Sequence, residues 1–232
     1  MTTKIGRTAA IILAGGSGQR FGSDKLMEPI AGVNVLVRSL RAFESCGAVD
    51  DIIVVGREDI LSLIADLCRE EHIEKLCCVV PGGTTRALSC MAGLNALADE
   101  ITLVAVHDAA RPMVTDDIIT QALETAARFG AAVPAVSVKD TIKQAEDGVV
   151  LSTPDRSSLH AVQTPQCFQR DIICAAMRAA VENNLPVTDD CSAVEAAGGT
   201  VYLTPGSEQN IKITARFDIR IAECILKERE DT

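Results

Sequence analysis

Five apolar runs, Ala9 to Ala14, Ile52 to Val55, Leu76 to Val80, Ile101 to Val106 and Ala131 to Val136, recur along the chain, with amphipathic stretches between them. Each run is short and continuous rather than alternating, the pattern of a strand covered on both faces. Asn34 is placed to cap a helix running to Ser45, Thr84 or Thr85 one running to Ala98, and Thr115 one running to Arg128. Strand, helix, strand in repetition predicts right-handed crossovers and a mainly parallel sheet of the α/β class. Ligands of such sheets bind beyond the strand C-termini.

The rhythm changes after Val136. Lys139 to Gln163 is charged, contains the turn signal Asp147-Gly148 and a short β-like run, Val149 to Leu151, and reads either as a hairpin arm leaving the sheet or as a disordered loop. The hairpin, spanning 137–163, is the expectation taken forward, and such an arm commonly meets another subunit. Helices resume near Arg170 and Asp189, strand-like pieces cover Thr200 to Leu203 and Asn210 to Thr214, and Arg216 to Glu228 reads as a terminal helix. With 232 residues, 47% of them apolar, the chain fits a single domain with a sizeable core.

A net charge of −10 argues against sequence-independent binding to nucleic acid or an anionic membrane, so any phosphate site has to be a local basic cluster. The nine cysteines are scattered, several lie in apolar runs, and none forms a CxxC pair. They are expected to be reduced thiols of a cytoplasmic protein, since neither a signal peptide nor an apolar run of membrane length is present.

Chemistry concentrates at the ends of the apolar runs. Leu13-Ala14-Gly15-Gly16-Ser17-Gly18-Gln19-Arg20 follows the first one, with glycines that let backbone approach a bound group and an arginine suited to phosphate. A structural turn, a dinucleotide site and a nucleoside triphosphate site all accommodate this loop. The helix is delayed past Pro29, Gly32 and Asn34, and the acidic residue of a dinucleotide fold is missing, so a triphosphate suits it best. His107-Asp108-Ala109-Ala110-Arg111-Pro112 follows the fourth run. Its acid and arginine read as a cleft pair facing a hydroxyl, a metal-bound nucleotide or a phosphate, or as a salt-bridged turn. His107 itself reads as a packed residue. Asp140-Thr141-Ile142-Lys143 opens the arm, and Pro154-Asp155-Arg156 with Gln163-Thr164-Pro165-Gln166 closes it. Thr188-Asp189-Asp190 suits a helix cap, and Lys212, in Asn210-Ile211-Lys212-Ile213-Thr214, is either an edge-strand gatekeeper or a phosphate ligand.

Taken together, LAGGSGQR, PGGTTR, HDAARP, VKDTIK, PDRSSL, QTPQ, TDD and NIKIT, in this order from Ala9 to Cys224, resemble the 2-C-methyl-D-erythritol 4-phosphate cytidylyltransferases. The resemblance implies a Rossmann-like nucleotidyltransferase fold of three layers, one domain over 1–232, and a homodimer joined by its β-arms. It also implies a reaction in which methylerythritol phosphate attacks the α-phosphate of CTP and releases pyrophosphate, with Mg²⁺ on the triphosphate. By similarity, Arg20 and Lys25 stabilise the triphosphate in the transition state, and Ala14, Gly15, Gly16, Gly18, Gly83 and Ser89 contact the nucleotide. Asp108 would lie near the ribose, the Mg²⁺ and the attacking substrate. Arg111, Thr141, Thr164, Thr188 and Lys212 match positions that hold methylerythritol phosphate, and Arg156 matches an arm arginine that reaches the partner subunit's site; Arg156 and Lys212 count with the catalytic cations. The sequence departs from the family pattern at Asp24, where proline is frequent, at Thr84-Thr85 in place of an acidic pair, at Leu88 in place of aspartate, and at His160 in place of an aromatic. Ribitol 5-phosphate cytidylyltransferases share the LAGG-like loop, HDA-x-RP and NIK. Val138 to Lys143 and Pro154 to Gln166 favour the methylerythritol enzymes. A dinucleotide-dependent oxidoreductase and a non-catalytic nucleotide sensor of the same fold are the readings from other classes.

Overall fold

Strand β1 (Thr8–Ala14) is almost wholly buried, and its side chains alternate between two hydrophobic clusters: Ala10, Ile12 and Ala14 face one, Ala9 and Ile11 the other. The same alternation runs along β4 (Asp51–Gly56) and β6 (Leu103–Asp108), which flank β1 in parallel register. A strand with two apolar faces needs a layer on each side, and this places the sheet between two sets of helices.

The computed structural model describes residues 6–16 and 24–231. Between β1 and β4 lie the short strands β2 (Pro29–Ile30) and β3 (Val33–Asn34) and helix α1 (Val35–Ser45). Helix α2 (Leu61–Glu70), β5 (Leu76–Pro81) and α3 (Arg86–Asn95) lead to β6, and α4 (Asp116–Phe129) to β7 (Ala131–Ser137). The arm strands β8 (Gln144–Glu146) and β9 (Val149–Ser152) follow, then β10 (His160–Val162) and β11 (Gln166–Gln169). Helices α5 (Arg170–Glu182) and α6 (Asp190–Ala196), β12 (Tyr202–Pro205) and α7 (Arg216–Glu230) complete the chain. The main sheet runs β10-β7-β11-β6-β1-β4-β5, with β12 also paired to β7. Its pairings are parallel except those of β10 and β11. Helices α1, α4 and α7 supply Phe43, Leu123 and Ile225 to one cluster; α3, α5 and α6 supply Leu94, Met177 and Val194 to the other. This is the Rossmann-like α/β architecture expected.

One close approach explains a helical glycine. A Cβ at Gly93 in α3 would fall 2.5 Å from Ile11 Cγ2 and 3.0 Å from Val55 Cγ2, so only glycine lets this helix lie so low on β1 and β4.

Several expectations are corrected. The fourth run becomes a strand only at Leu103, because the Ile101 and Thr102 N–H groups are taken by Ala98 and Arg7 carbonyls. Helix α2 was not foreseen: among its described residues only Ile64 and Cys68 are buried, and its start carries no side-chain cap. Strand β11 was also missed, and its antiparallel insertion between β6 and β7 makes the sheet mixed. The segment 210–214 is no strand; it is irregular chain tied by the Ile213 N–H to the Ala110 carbonyl, just past the end of β6.

The arm is a hairpin, not a disordered loop, but it is shorter than the expected 137–163, because Ser137 ends β7 and His160–Val162 pairs with β7 in the main sheet. Glu146 pairs with Val149 across Asp147 and Gly148, whose φ values of 49° and 79° suit a primed two-residue turn. All residues of β8 and β9 are exposed, including Val149 and Leu151 at 64% and 57%. No helix among the described residues is long and apolar enough to cross a membrane.

Candidate active site

The C-terminal ends of β1 and β6, with the residues that follow β1 and β5, line a cavity of about 370 Å³. Seven residues singled out in the sequence line it together: Gly15, Gly16, Lys25, Gly83, Ser89, Asp108 and Lys212. Ala14 is the buried last residue of β1, immediately behind them. Arg20 and Gly18 lie outside the described residues.

The wall opposite β1 is the loop between β5 and α3. Ser89, in the first turns of α3, accepts from the Gly83 N–H at 3.2 Å and donates to the Thr85 carbonyl at 3.0 Å. Its hydroxyl therefore braces this loop from beneath. A Cβ at Gly83 would stand 2.3 Å from Leu88 Cβ, so the loop can fold against the helix only with glycine there. Thr85, rather than Thr84, is the cap of α3, its hydroxyl accepting from the Leu88 N–H.

Asp108 forms the floor. Its carboxylate is 15% exposed and accepts from Lys212 Nζ at 2.6 Å, while Arg86 Nη2 stands 3.6 Å away. Burial would raise the Asp108 pKa, but Lys212 and Arg86 outweigh it and hold the carboxyl at about 2. The gatekeeper reading of Lys212 is thereby set aside, since Lys212 leaves a non-strand segment and turns its ammonium into the site. Lys25 also lines the cavity, its Nζ donating at 3.0 Å to the carbonyl of Ile213, the residue after Lys212.

The arginine of PGGTTR was given no role in the sequence reading. Arg86 joins two acids, donating to the fully buried Asp190 at 2.7 Å while facing Asp108. Burial would lower its pKa, yet Asp190 and Asp108 reverse that and raise it, so the guanidinium is a fixed charge. The signal was available: two arginine-compatible acids, Asp108 and Asp190, each at a motif, but on segments that only folding brings together. Asp189 and Asp190 divide their tasks, Asp189 capping α6 through the Ser192 N–H and Asp190 pairing with Arg86. Gln166 aligns both, accepting from the Asp190 and Cys191 N–H groups and donating to Asp189.

Behind the floor, His107 is fully buried against Phe43. The Thr164 hydroxyl accepts from the Asp108 N–H at 3.2 Å and donates to His107 Nδ1 at 3.0 Å, while His107 Nε2 donates to the Arg111 carbonyl at 3.2 Å. That chain defines a neutral imidazole. Burial lowers its pKa to about 4, against the raising effect of Asp108. Arg111 donates to the Asn210 carbonyl at 2.8 Å, and burial lowers its pKa. Its Nε is buried without a hydrogen-bond partner.

Five of the seven substrate-binding candidates do not line this cavity: Arg111 and Thr164 lie behind its floor, and the other three lie further off. Thr141 and Arg156 are exposed on the arm, with Arg156 donating to the Lys139 carbonyl, and Thr188 is exposed at the entry to α6.

Residues 8–228 match the family model described as 2-C-methyl-D-erythritol 4-phosphate cytidylyltransferase. Proteins of that name from Symbiobacterium thermophilum and Bacillus licheniformis are 43% and 42% identical to this chain over 223 and 219 residues. The first match spans 95% of this chain and 93% of the relative, the second 94% of each. The crystal structure of 4-diphosphocytidyl-2C-methyl-D-erythritol synthase from Anaerococcus prevotii superposes with a TM-score of 0.86 at 32% identity, covering 96% of both chains.

Proposed function

The chain belongs to the family of 2-C-methyl-D-erythritol 4-phosphate cytidylyltransferases, enzymes of isoprenoid precursor biosynthesis that use CTP, and we propose from that premise how its own residues share the work. The reaction joins a phosphate oxygen of methylerythritol phosphate to the α-phosphorus of CTP. The bond from that phosphorus to the bridging oxygen breaks, and pyrophosphate leaves. Both reactants are anions, so the protein's task is to bring them together in line and offset their repulsion; no side-chain nucleophile is required.

The observation that carries this assignment is the convergence of bare glycine backbone, two lysines and one deeply ionised acid on a single cavity of an otherwise acidic protein. Gly15, Gly16 and Lys25, with Gly18 and Arg20 of the same loop, receive the triphosphate. Ala14, Gly83 and Ser89 form the cytidine side, and Asp108 meets the ribose edge. Lys212 meets the α-phosphate and the incoming phosphate. Arg111 and Thr188 hold methylerythritol phosphate, with Thr164 acting from behind through Asp108. The arm of a second copy brings Thr141 and Arg156, and the exposed apolar residues Val149, Val150 and Leu151 support its burial in a homodimer. All nine cysteines are free, which supports a reducing, cytoplasmic setting.

The floor supplies a single acid that would share Mg²⁺ with the triphosphate, Asp108, whose two oxygens face Lys212 and Arg86, and no cluster of three metal-binding side chains stands among the described residues. Asp108 offers one ionised carboxylate beside the phosphate position, and this ion takes one or two carboxylates while drawing its other ligands from phosphate and water. Bound there, it would neutralise charge on the triphosphate.

The test is Mg²⁺-dependent pyrophosphate release from CTP, with methylerythritol phosphate and ribitol 5-phosphate offered in parallel. Release with the first is expected. Release with ribitol 5-phosphate alone would overturn the assignment.

A further inference from the structure

Arg57 is the first residue after β4, beside the point where β1 ends, since Ala14 and Gly56 are paired. Its side chain is 27% exposed, and three of its nitrogens are committed. Nη2 donates to Asp24 Oδ2 at 2.9 Å, Nε to Asp59 Oδ1 at 3.1 Å, and Nη1 to the Gly16 carbonyl at 3.4 Å. Gly16 and Asp24 stand on either side of residues 17–23, so one guanidinium joins the chain leaving β1 to the chain returning towards α1.

Asp24 passes the constraint on. Its Oδ1 accepts from the Leu26 N–H at 3.2 Å and its carbonyl from the Met27 N–H at 3.0 Å, which closes a turn around Lys25. From that turn Lys25 reaches the cavity and the Ile213 carbonyl. A carboxylate free to rotate would cap Leu26 only part of the time. Held at its other oxygen by a planar fork, itself oriented by Asp59, it has one orientation. Arg57 does not line the cavity, and its donors are turned to protein rather than to the space a ligand would fill.

We infer that Arg57 is a positioning residue for the triphosphate: through Asp24 and the Gly16 carbonyl it fixes the turn that presents Lys25. The inference rests on the triphosphate site proposed above. A surface ion pair with Asp59 alone would leave Asp24 and Arg57 independent, whereas a shared positioning role makes them one unit.

The experiment has two arms. Amide hydrogen exchange of the unliganded full-length protein reads the turn directly: in Arg57→Ala, the Leu26 and Met27 amides are expected to exchange about tenfold faster, as their local opening becomes easier. Kinetics read the consequence. In Arg57→Ala, kcat/KM for CTP is expected to fall about tenfold with KM for methylerythritol phosphate within about twofold, and Asp24→Ala matches it. The double variant is no worse than about threefold below either single, because residues acting through one contact are not additive. Arg57→Lys keeps the charge but cannot span both partners, and falls between. Unchanged exchange at Leu26 and Met27 overturns the inference. So does wild-type behaviour of Asp24→Ala beside an impaired Arg57→Ala, which would mean that Arg57 acts by its charge alone. If the wild-type protein released no pyrophosphate, the functional reading would fail, while the exchange arm would still judge the latch.

Discussion

Lys212 and Asp108 are the pair on which the site's charge turns, and their environment says which partner is dispensable to the fold. Lys212 is 42% exposed while Asp108 is 15% exposed, so removing the lysine leaves a partly buried anion with Arg86 as its remaining cation. Lys212→Met is expected to lower kcat by about 10²-fold, the usual loss when one preorganised charge is taken from a transition state, with Lys212→Arg recovering part of it; steady-state kinetics check both. Thr164 carries the opposite lesson. Its hydroxyl is spent inside, between the Asp108 N–H and His107, so Thr164→Val leaves a buried imidazole nitrogen and a buried N–H unsatisfied. A loss of about 1–3 kcal/mol is expected in urea unfolding, and Thr164→Ser should restore most of it. A variant that altered KM at wild-type stability would contradict this assignment. At this scale the sequence showed which residue types cluster, and Asp108, Lys25, Lys212 and Ser89 do meet on one cavity. It could not show Arg86 or Arg57 at work, because an arginine's partner is decided by tertiary approach: Asp190 lies 104 residues from Arg86, and Asp24 lies 33 from Arg57.

Elements were legible in proportion to how far their own residues account for their burial. Strands β1 and β4 are apolar on both faces and could be nothing but central. The hairpin was written in Asp147-Gly148, two positions that need positive φ. Helix α2 does carry an apolar stripe, with Ile64 and Cys68 buried and Leu61 and Leu67 partly so, but no capping side chain marks its start; β11 is four residues with glutamine at each end and carries no local signal equal to its place in the fold. Asn210 to Thr214 misled for a related reason: its in-and-out pattern is real, with Asn210 and Ile213 buried and Lys212 exposed, but its backbone is held by loop contacts rather than by a neighbouring strand. The most testable element is α3, which rests on the sheet through Gly93. Gly93→Ala would gain helix propensity of roughly 1 kcal/mol in an open helix. Here the added methyl meets Ile11 and Val55 in a filled core, and overpacking of about 1–3 kcal/mol is expected to dominate. Because α3 also carries Ser89 and Arg86, the same variant should raise KM for CTP, measurable at a temperature where it remains folded.

Thr141 and Arg156 sit on the arm, away from the cavity that Lys25, Asp108 and Lys212 line. The arm strands expose Val149, Val150 and Leu151 around a two-stranded sheet, and an isolated hairpin of this size has little stability of its own, so a second copy is the natural cover. If the arm completes the neighbouring site, activity belongs to pairs of chains, and this can be separated from a merely structural dimer by complementation. Arg156→Ala leaves its own cavity intact but deprives the partner subunit of an arginine. Lys212→Met disables its own cavity but still donates Arg156. Each homodimer should therefore be weak in pyrophosphate release. After mixing in equal amounts and exchange of subunits, half the dimers are mixed and each holds one complete site, so about a quarter of wild-type activity should return. Were Arg156 to act within its own chain, no mixed dimer would contain a complete site and mixing would restore nothing. Leu151→Asp added to both chains supplies the control: a charge on the exposed arm face that a second copy would cover should shift sedimentation from dimer to monomer and abolish the recovery, which would tie the regained activity to the arm and not to subunit contact elsewhere.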